Sequence, residues 1–372
     1  MKNIALLNRP GASSVALVVR VDVGYAHSDD GCAHLLEHMV FEGSVRYPVP
    51  GELEEWTERV GGYCSAQVAF DYTEYGVRVP AAQALEAAER LLDALEAPLL
   101  QNEVAERELE VLRREEAAAT FSPVEAAVEA VYELCGVGGM RWPSTGNRHT
   151  LQSFHQRWYR PEYFRVGAVG CLSQGLERSL GRVAAQVAWP PGLLVPPMVD
   201  RSLRVSPRES GDALLLLAIP LQNPPTLRQQ ATLSILNAAL AGRRGARISR
   251  WAREHARCYE VASFVQPFRN VTLFFLALMA HPQALEELEG QLDRNLRQAA
   301  CDLSDVEVEA ARSYHFGTTA MHLEHPRHQA VHLTHMISLG LPALSFADPL
   351  IDPPWHTRRE NSPLPGARPR QR

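Results

Sequence analysis

The stretch GCAHLLEHMVFEGS, residues 31–44, governs how the whole chain is read. His34 and His38 are four residues apart, so on a helix both imidazoles leave one face and can share a metal ion. Glu37 falls beside that position rather than on it, where a carboxylate can take a proton from a water molecule. Zinc suits such a site because three protein ligands leave a fourth position for water, whose pKa then drops to about 7. Taken alone the HxxEH pattern is short enough to arise by accident, so its setting has to decide.

The setting offers a third ligand. RELEVLRREE, residues 107–116, is dense in Glu and Arg at helical spacing, and Asn102 is the expected cap of a helix over 102–119. Glu108 and Glu115 share one face of that helix, two turns apart. Glu115 is assigned as the metal ligand, and Glu108 as a carboxylate behind the ligands that orients or tunes the site. Glu110 and Glu116 point elsewhere. Without the histidine motif, a run of this kind would be only a solvated face.

Further out, the valine-rich segment 14–22 predicts a strand, and residues 63–79 a hairpin. Helices are expected over 81–97, 124–134 and 149–159, and a short strand over 165–170. WPPGLLVPPMVDRS (189–202) carries four prolines and cannot continue a helix or a central strand, so it reads as a linker between domains at 1–188 and 203–346. After it the theme recurs as a strand at 213–219, a helix at 227–240, strands near 258–264 and 271–279, and a helix at 282–299. The expected architecture is α+β: two related sandwich domains with mainly antiparallel sheets. Residues 347–372, rich in Pro and Arg without periodicity, read as a disordered tail.

Composition removes several classes. At 372 residues the chain exceeds a single core. A net charge of -6 gives no general reason to bind nucleic acid or an anionic membrane. No stretch approaches the about 18 uncharged residues of a membrane span, and Arg20 and Asp22 interrupt the early apolar run, so neither a membrane anchor nor a secretory signal is expected. The six cysteines show no CxxC spacing and read as reduced thiols of a cytoplasmic protein.

Together these segments resemble the pitrilysin or insulinase family of zinc peptidases, in particular its shorter members related to mitochondrial processing peptidase. HLLEHMVFEGS is similar to the family's zinc helix, GGYCSAQVAFDYTEYGV (61–77) to its hairpin, and RELEVLRREE to its distal-glutamate helix. STGNRHTLQSFHQRWYRPEYFRVGAVG (144–170) is similar to the helix and strand that close the first domain, and LSILNAALAGRRGARISRWARE (233–254) extends the likeness into the second half.

The resemblance implies a zinc-dependent endopeptidase acting on extended peptides that pair with an edge strand. It implies a chamber made from two such units, hence a partner subunit of the same family, with a heterodimer ranked ahead of a homodimer. It also implies substrate contacts from Ser65 and Ala66, where many members carry Asn-Ala, and from Arg253 and Tyr259, although REHARCYEV (253–261) is one residue short and lacks the usual Gly-Leu. No counterpart of the closing helix and strand follows Gly340, so the second domain is expected to be cut short, with an exposed sheet edge. The competing readings are a non-catalytic subunit and a zinc hydrolase of small molecules. Maturation of a precursor peptide is one role open to a short member.

A histidine-rich stretch stands apart: His315, His322, His325, His328, His332 and His335. His328, His332 and His335 share one helical face, but no acidic residue sits helpfully within it and Pro326 breaks the helix before it. An exposed or interface helix is expected there.

Overall fold

Strand β2 (Ser14–Val21) is apolar on both faces, and so is β7 (Ala213–Gln222), which dictates that each must lie inside a sheet covered on both sides. The computed structural model describes residues 1–342 except 29, 120–122, 135–140, 191–200, 206–212, 223–225, 255–257 and 269–270. Most of the expected 189–202 linker and all of the expected 347–372 tail lie outside the described residues.

The first half runs β1 (Ile4–Asn8), β2, α1 (Cys32–Phe41), α2 (Glu52–Arg59), β3 (Tyr63–Val68), β4 (Thr73–Pro80) and α3 (Ala84–Glu96). It continues through α4 (Asn102–Ala118), α5 (Pro123–Leu134), α6 (Arg148–Trp158), β5 (Phe164–Gly170) and α7 (Gln174–Leu180). The second half runs β6 (Arg201–Val205), β7, α8 (Leu227–Leu240), α9 (Arg247–Glu254), β8 (Cys258–Pro267), β9 (Val271–Ala280), α10 (Pro282–Asp302), α11 (Asp305–His322) and α12 (Pro326–Ser338). The order of the two sets corresponds: α1 with α8, the hairpin β3–β4 with β8–β9, and α3, α4 and α5 with α10, α11 and α12.

The fold is α+β, as expected. One sheet has the order β1-β5-β2-β4-β3 and the other β6-β7-β9-β8. Every pairing is antiparallel except β1 with β5. In the second half β6 lies antiparallel on β7, in the place that β5 takes against β2, and the sheet ends on β6 at one edge and β8 at the other. Arg201 and Ser202, counted with the linker from sequence, are the first residues of β6. Asn102 opens α4 as its first helical residue, with Gln101 as the cap, so the capping role given to Asn102 is corrected too.

The packing does not respect a boundary at 188/203. Val15, Leu17, Val19 and Val21 of β2 face the main core of the first half, whereas Ala16 and Val18 face Ala330, Leu333 and Ile337 of α12. In mirror fashion Leu214, Leu216 and Ala218 of β7 face Ala127, Val131 and Tyr132 of α5. Each half therefore lends one helix to cover the other's sheet. Polar contacts fix the exchange: Ser338 Oγ donates to Asp22 at 2.6 Å, and Arg327 bonds Glu74 and Ser65 at 3.3 and 3.2 Å.

Candidate metal centre

Helix α1 is preceded by Gly31 at its cap, whose φ of 75° is the left-handed conformation that glycine adopts without a Cβ penalty. A Cβ there would meet Pro143 N at 2.4 Å, so only glycine lets the 142–143 backbone press on the helix start. That approach brings the Trp142 ring over His34, with centroids 5.2 Å apart, while Tyr25 meets the same imidazole edge-on at 5.8 Å. Almost every side chain of α1 is buried, and His34 and Glu37 are each only 8% exposed.

Helix α4 packs across α1, and Val104, Ala105, Glu108, Leu109 and Leu112 are its buried side chains. Two turns along, Glu115 reaches the histidines: its Oε2 lies 3.8 Å from His34 Nε2 and 3.9 Å from His38 Nε2. Glu37 Oε2 lies 3.9 and 3.7 Å from the same two nitrogens. Glu108 Oε2 is 3.2 Å from His38 Nδ1, on the far side of the ring. The five residues singled out in the sequence thus meet at one place, whereas Glu110 and Glu116 are exposed.

Electrostatics separates the two carboxylates that distance alone does not. Burial pushes Glu37 up to about 7, with Glu115 and Glu54 adding to the rise and His38 opposing it. Glu115 has a side chain 46% exposed and stands at the mouth of the site. Burial, assisted by His38, lowers His34 to about 4, so its imidazole is neutral and its lone pair free at neutral pH. Glu42 and Glu54 are also raised, by burial first and neighbouring carboxylates second. Such crowding of acids around the histidines favours a divalent cation.

The donor set fits zinc. His34, Glu37 and His38 can bring ligand atoms within 4.8 Å of one another, and Glu115 adds an oxygen at comparable distance from both imidazoles. Two nitrogens and a carboxylate are the chemistry of catalytic zinc centres. His38 carries the outer carboxylate such ligands normally have, through Glu108; His34 Nδ1 is buried and has no hydrogen-bond partner among the described residues. Tyr25 and Trp142 were missed in the sequence because each is a lone aromatic outside the HxxEH stretch, with no periodic signal.

The residues expected to contact substrate are divided between the two halves. Ser65 and Ala66 sit on β3, the edge strand beside α1. The Ser65 hydroxyl accepts from Arg327 of α12, and Ala66 packs on the first-half core. Arg253, at the end of α9, is exposed and donates to the Arg244 carbonyl within its own half. Tyr259 lies in β8 where the register with β9 is interrupted. Of the two places expected for the histidine-rich stretch, exposed or interface, it takes the second, at the junction between halves: Arg20 of β2 bonds His335 Nδ1 at 3.3 Å, and Arg78 bonds His325 at 2.9 Å.

A helix bearing HxxEH, crossed by an acidic helix in a pair of matched α+β halves, defines a peptidase-type architecture. The family described as Insulinase (Peptidase family M16) matches residues 3–135, and the one described as Peptidase M16 inactive domain matches 147–314. The chain belongs to this insulinase, or pitrilysin, family of peptidases. An uncharacterized zinc protease of Rickettsia bellii is 22% identical over 325 residues, covering 83% of this chain and 79% of that protein. The coenzyme PQQ synthesis protein F of Klebsiella pneumoniae is 28% identical over 198 residues, 49% of this chain and only 26% of that longer relative. The solved structure of a peptidase M16 inactive domain from Pseudomonas fluorescens superposes with a TM-score of 0.76 at 16% identity, covering 94% of this chain and 87% of that one. Among the described residues no helix is long and apolar enough to cross a membrane.

Proposed function

We propose that this chain is a zinc-dependent endopeptidase that hydrolyses peptides or unfolded segments. The observation that carries the proposal is the convergence of His34 Nε2, His38 Nε2 and Glu115 Oε2, with the buried Glu37 carboxylate against both imidazoles. His34, His38 and Glu115 would hold the ion. When bound, zinc supplies Lewis acidity towards a water molecule and a carbonyl oxygen.

The remaining steps belong to the chain's own side chains. Glu108 accepts the Nδ1 proton of His38 and so fixes the tautomer that leaves Nε2 free to ligate. Glu37 takes a proton from the attacking water as the new C–O bond forms, then returns it to the amide nitrogen as the C–N bond breaks. The open edge of β3 offers backbone groups for an extended substrate beside α1. A narrower form of the proposal is that the substrate is a precursor peptide undergoing maturation.

A partner subunit of the same family belongs to the proposal, ahead of action as a monomer, with a heterodimer preferred over a homodimer. Arg253 is engaged within its own half, which supports substrate contacts from another chain. Zinc content and peptide cleavage by the purified chain, with its mass in solution, test the whole reading. A chain without stoichiometric zinc would be the non-catalytic subunit instead.

A further inference from the structure

Two of the bonds that hold α12 on the first sheet require neutral histidine. Arg20 of β2 lies 3.3 Å from Nδ1 of His335, and Arg78 of β4 lies 2.9 Å from Nε2 of His325, the residue that caps α12. A guanidinium can only donate, so each imidazole nitrogen is the acceptor. An imidazole accepts only while neutral, because once protonated it carries two N–H donors and no lone pair. Both bonds therefore exist only while these histidines are unprotonated.

The rest of the contact is modest. Three of the seven buried residues in the apolar cluster beneath α12 are alanines, so that hold rests on Val18, Val169, Leu333 and Ile337. Arg327 adds an ion pair to Glu74 at 3.3 Å, but burial raises the Glu74 carboxyl, and the pair weakens as pH falls. A cavity of about 740 Å³ reaches Arg20, His332 and His335, which gives protons access to the junction.

The surroundings resist a further positive charge. His322 of α11 stacks on His328 with centroids 4.0 Å apart, and His325 lies 4.9 Å from His328. Arg327 stands close to His325, and His332 close to His335. Asp22 is already held at 2.6 Å by both Arg165 of β5 and Ser338. Asp71 faces Arg20, but burial pushes it up to about 6, so its charge is lost as the medium turns acid. Strand β1 brings no charged residue, α8 only the exposed Arg228, and Glu324 before the cap is exposed. Burial and then Arg20 hold His335 well below the usual imidazole range, and burial and then Arg78 lower His325. Burial also lowers His315 and His322 and holds His332 down to about 4.

We propose that the α12 junction is an acid-sensitive latch between the halves: protonation of His325 and His335 breaks their bonds to Arg78 and Arg20 and releases α12 from the first sheet. A histidine in an open chain titrates near about 6.5. Both are lowered in the closed form, so below that pH the open form binds more protons. Closure is therefore fully stable above about 6.5 and is lost as pH falls below it. Arg327 leaves with α12, and Ser65 of β3 then loses its partner. The latch stands whether or not the chain cleaves peptides.

The test is amide hydrogen exchange of the full-length chain from pH 7 to 4.5, corrected for the intrinsic pH dependence of exchange, with far-UV circular dichroism on the same samples. Exchange in α12 should rise at least about tenfold, the effect of one histidine displaced by one pKa unit. Helix content, and exchange in β7 and β9, should stay as at pH 7. His335→Asn and His325→Gln each place an amide oxygen where the imidazole nitrogen accepts, and neither titrates. The double variant should keep α12 protected at pH 4.5, and His325→Gln alone should move the release to lower pH. Protection of α12 that is unchanged across the range, or is lost only together with helix content, would overturn the proposal. So would release at the same pH in the parent and in His325→Gln, or release of the folded double variant at the pH of the parent.

Discussion

Glu108 Oε2 lies 3.2 Å from His38 Nδ1, so the ring is gripped from behind while its Nε2 faces His34 and Glu115. The grip is itself supported, because Arg107 bonds the other Glu108 oxygen at 3.1 Å and also reaches Glu42. Glu108→Gln should therefore weaken zinc affinity or turnover by about 10- to 100-fold, the usual scale for such outer contacts. Metal titration and steady-state cleavage check it. A variant equal to the parent in both would return Glu108 to a structural role.

The exchanged helix gives a second prediction. Leu333 of α12 is 3% exposed and packs on Ala16, Val18 and Val169 of the first sheet. Leu333→Ala should cost about 2–5 kcal/mol, as buried leucine truncations do. The loss should appear as faster amide exchange in β2 and β5, although the mutation lies over 100 residues away in sequence. Exchange that accelerates only in the second-half strands would contradict the reciprocal packing.

Much of this was legible in the sequence, and the illegible part has a physical cause. HxxEH carries its geometry in its spacing, and Glu115 could be placed because Glu108 and Glu115 share a helical phase. Periodicity tells which face of a helix is buried but not which sheet buries it, so the exchange of α5 and α12 left no local trace. The same limit left the histidines on α12 open between an exposed and an interface helix until Arg20, 315 residues away, is found against His335. Strand β1 was missed because five residues, IALLN, without strict alternation say little alone.

A third prediction concerns pH. Glu307 caps α11 through Ser304 and binds Arg247, which holds its carboxyl down to about 2. A glutamate in the unfolded chain titrates near about 4.3. Its stabilising effect is therefore present above that pH and is lost as pH falls from there towards about 2. Glu307→Gln should lower the melting temperature at neutral pH, and the gap from the parent should close over that acid window. A gap of constant size down to pH 2 would show that the pair contributes nothing through its charge.

The most direct test of the account compares zinc content with peptide cleavage in Glu37→Gln and Glu115→Ala, each against the parent. Glu37 and Glu115 stand at nearly the same distances from both histidines, so only their chemistry tells ligand from base. Glu37→Gln should keep one equivalent of zinc and lose nearly all cleavage, whereas Glu115→Ala should lose both. Full cleavage by zinc-loaded Glu37→Gln, or full zinc in Glu115→Ala, would contradict it.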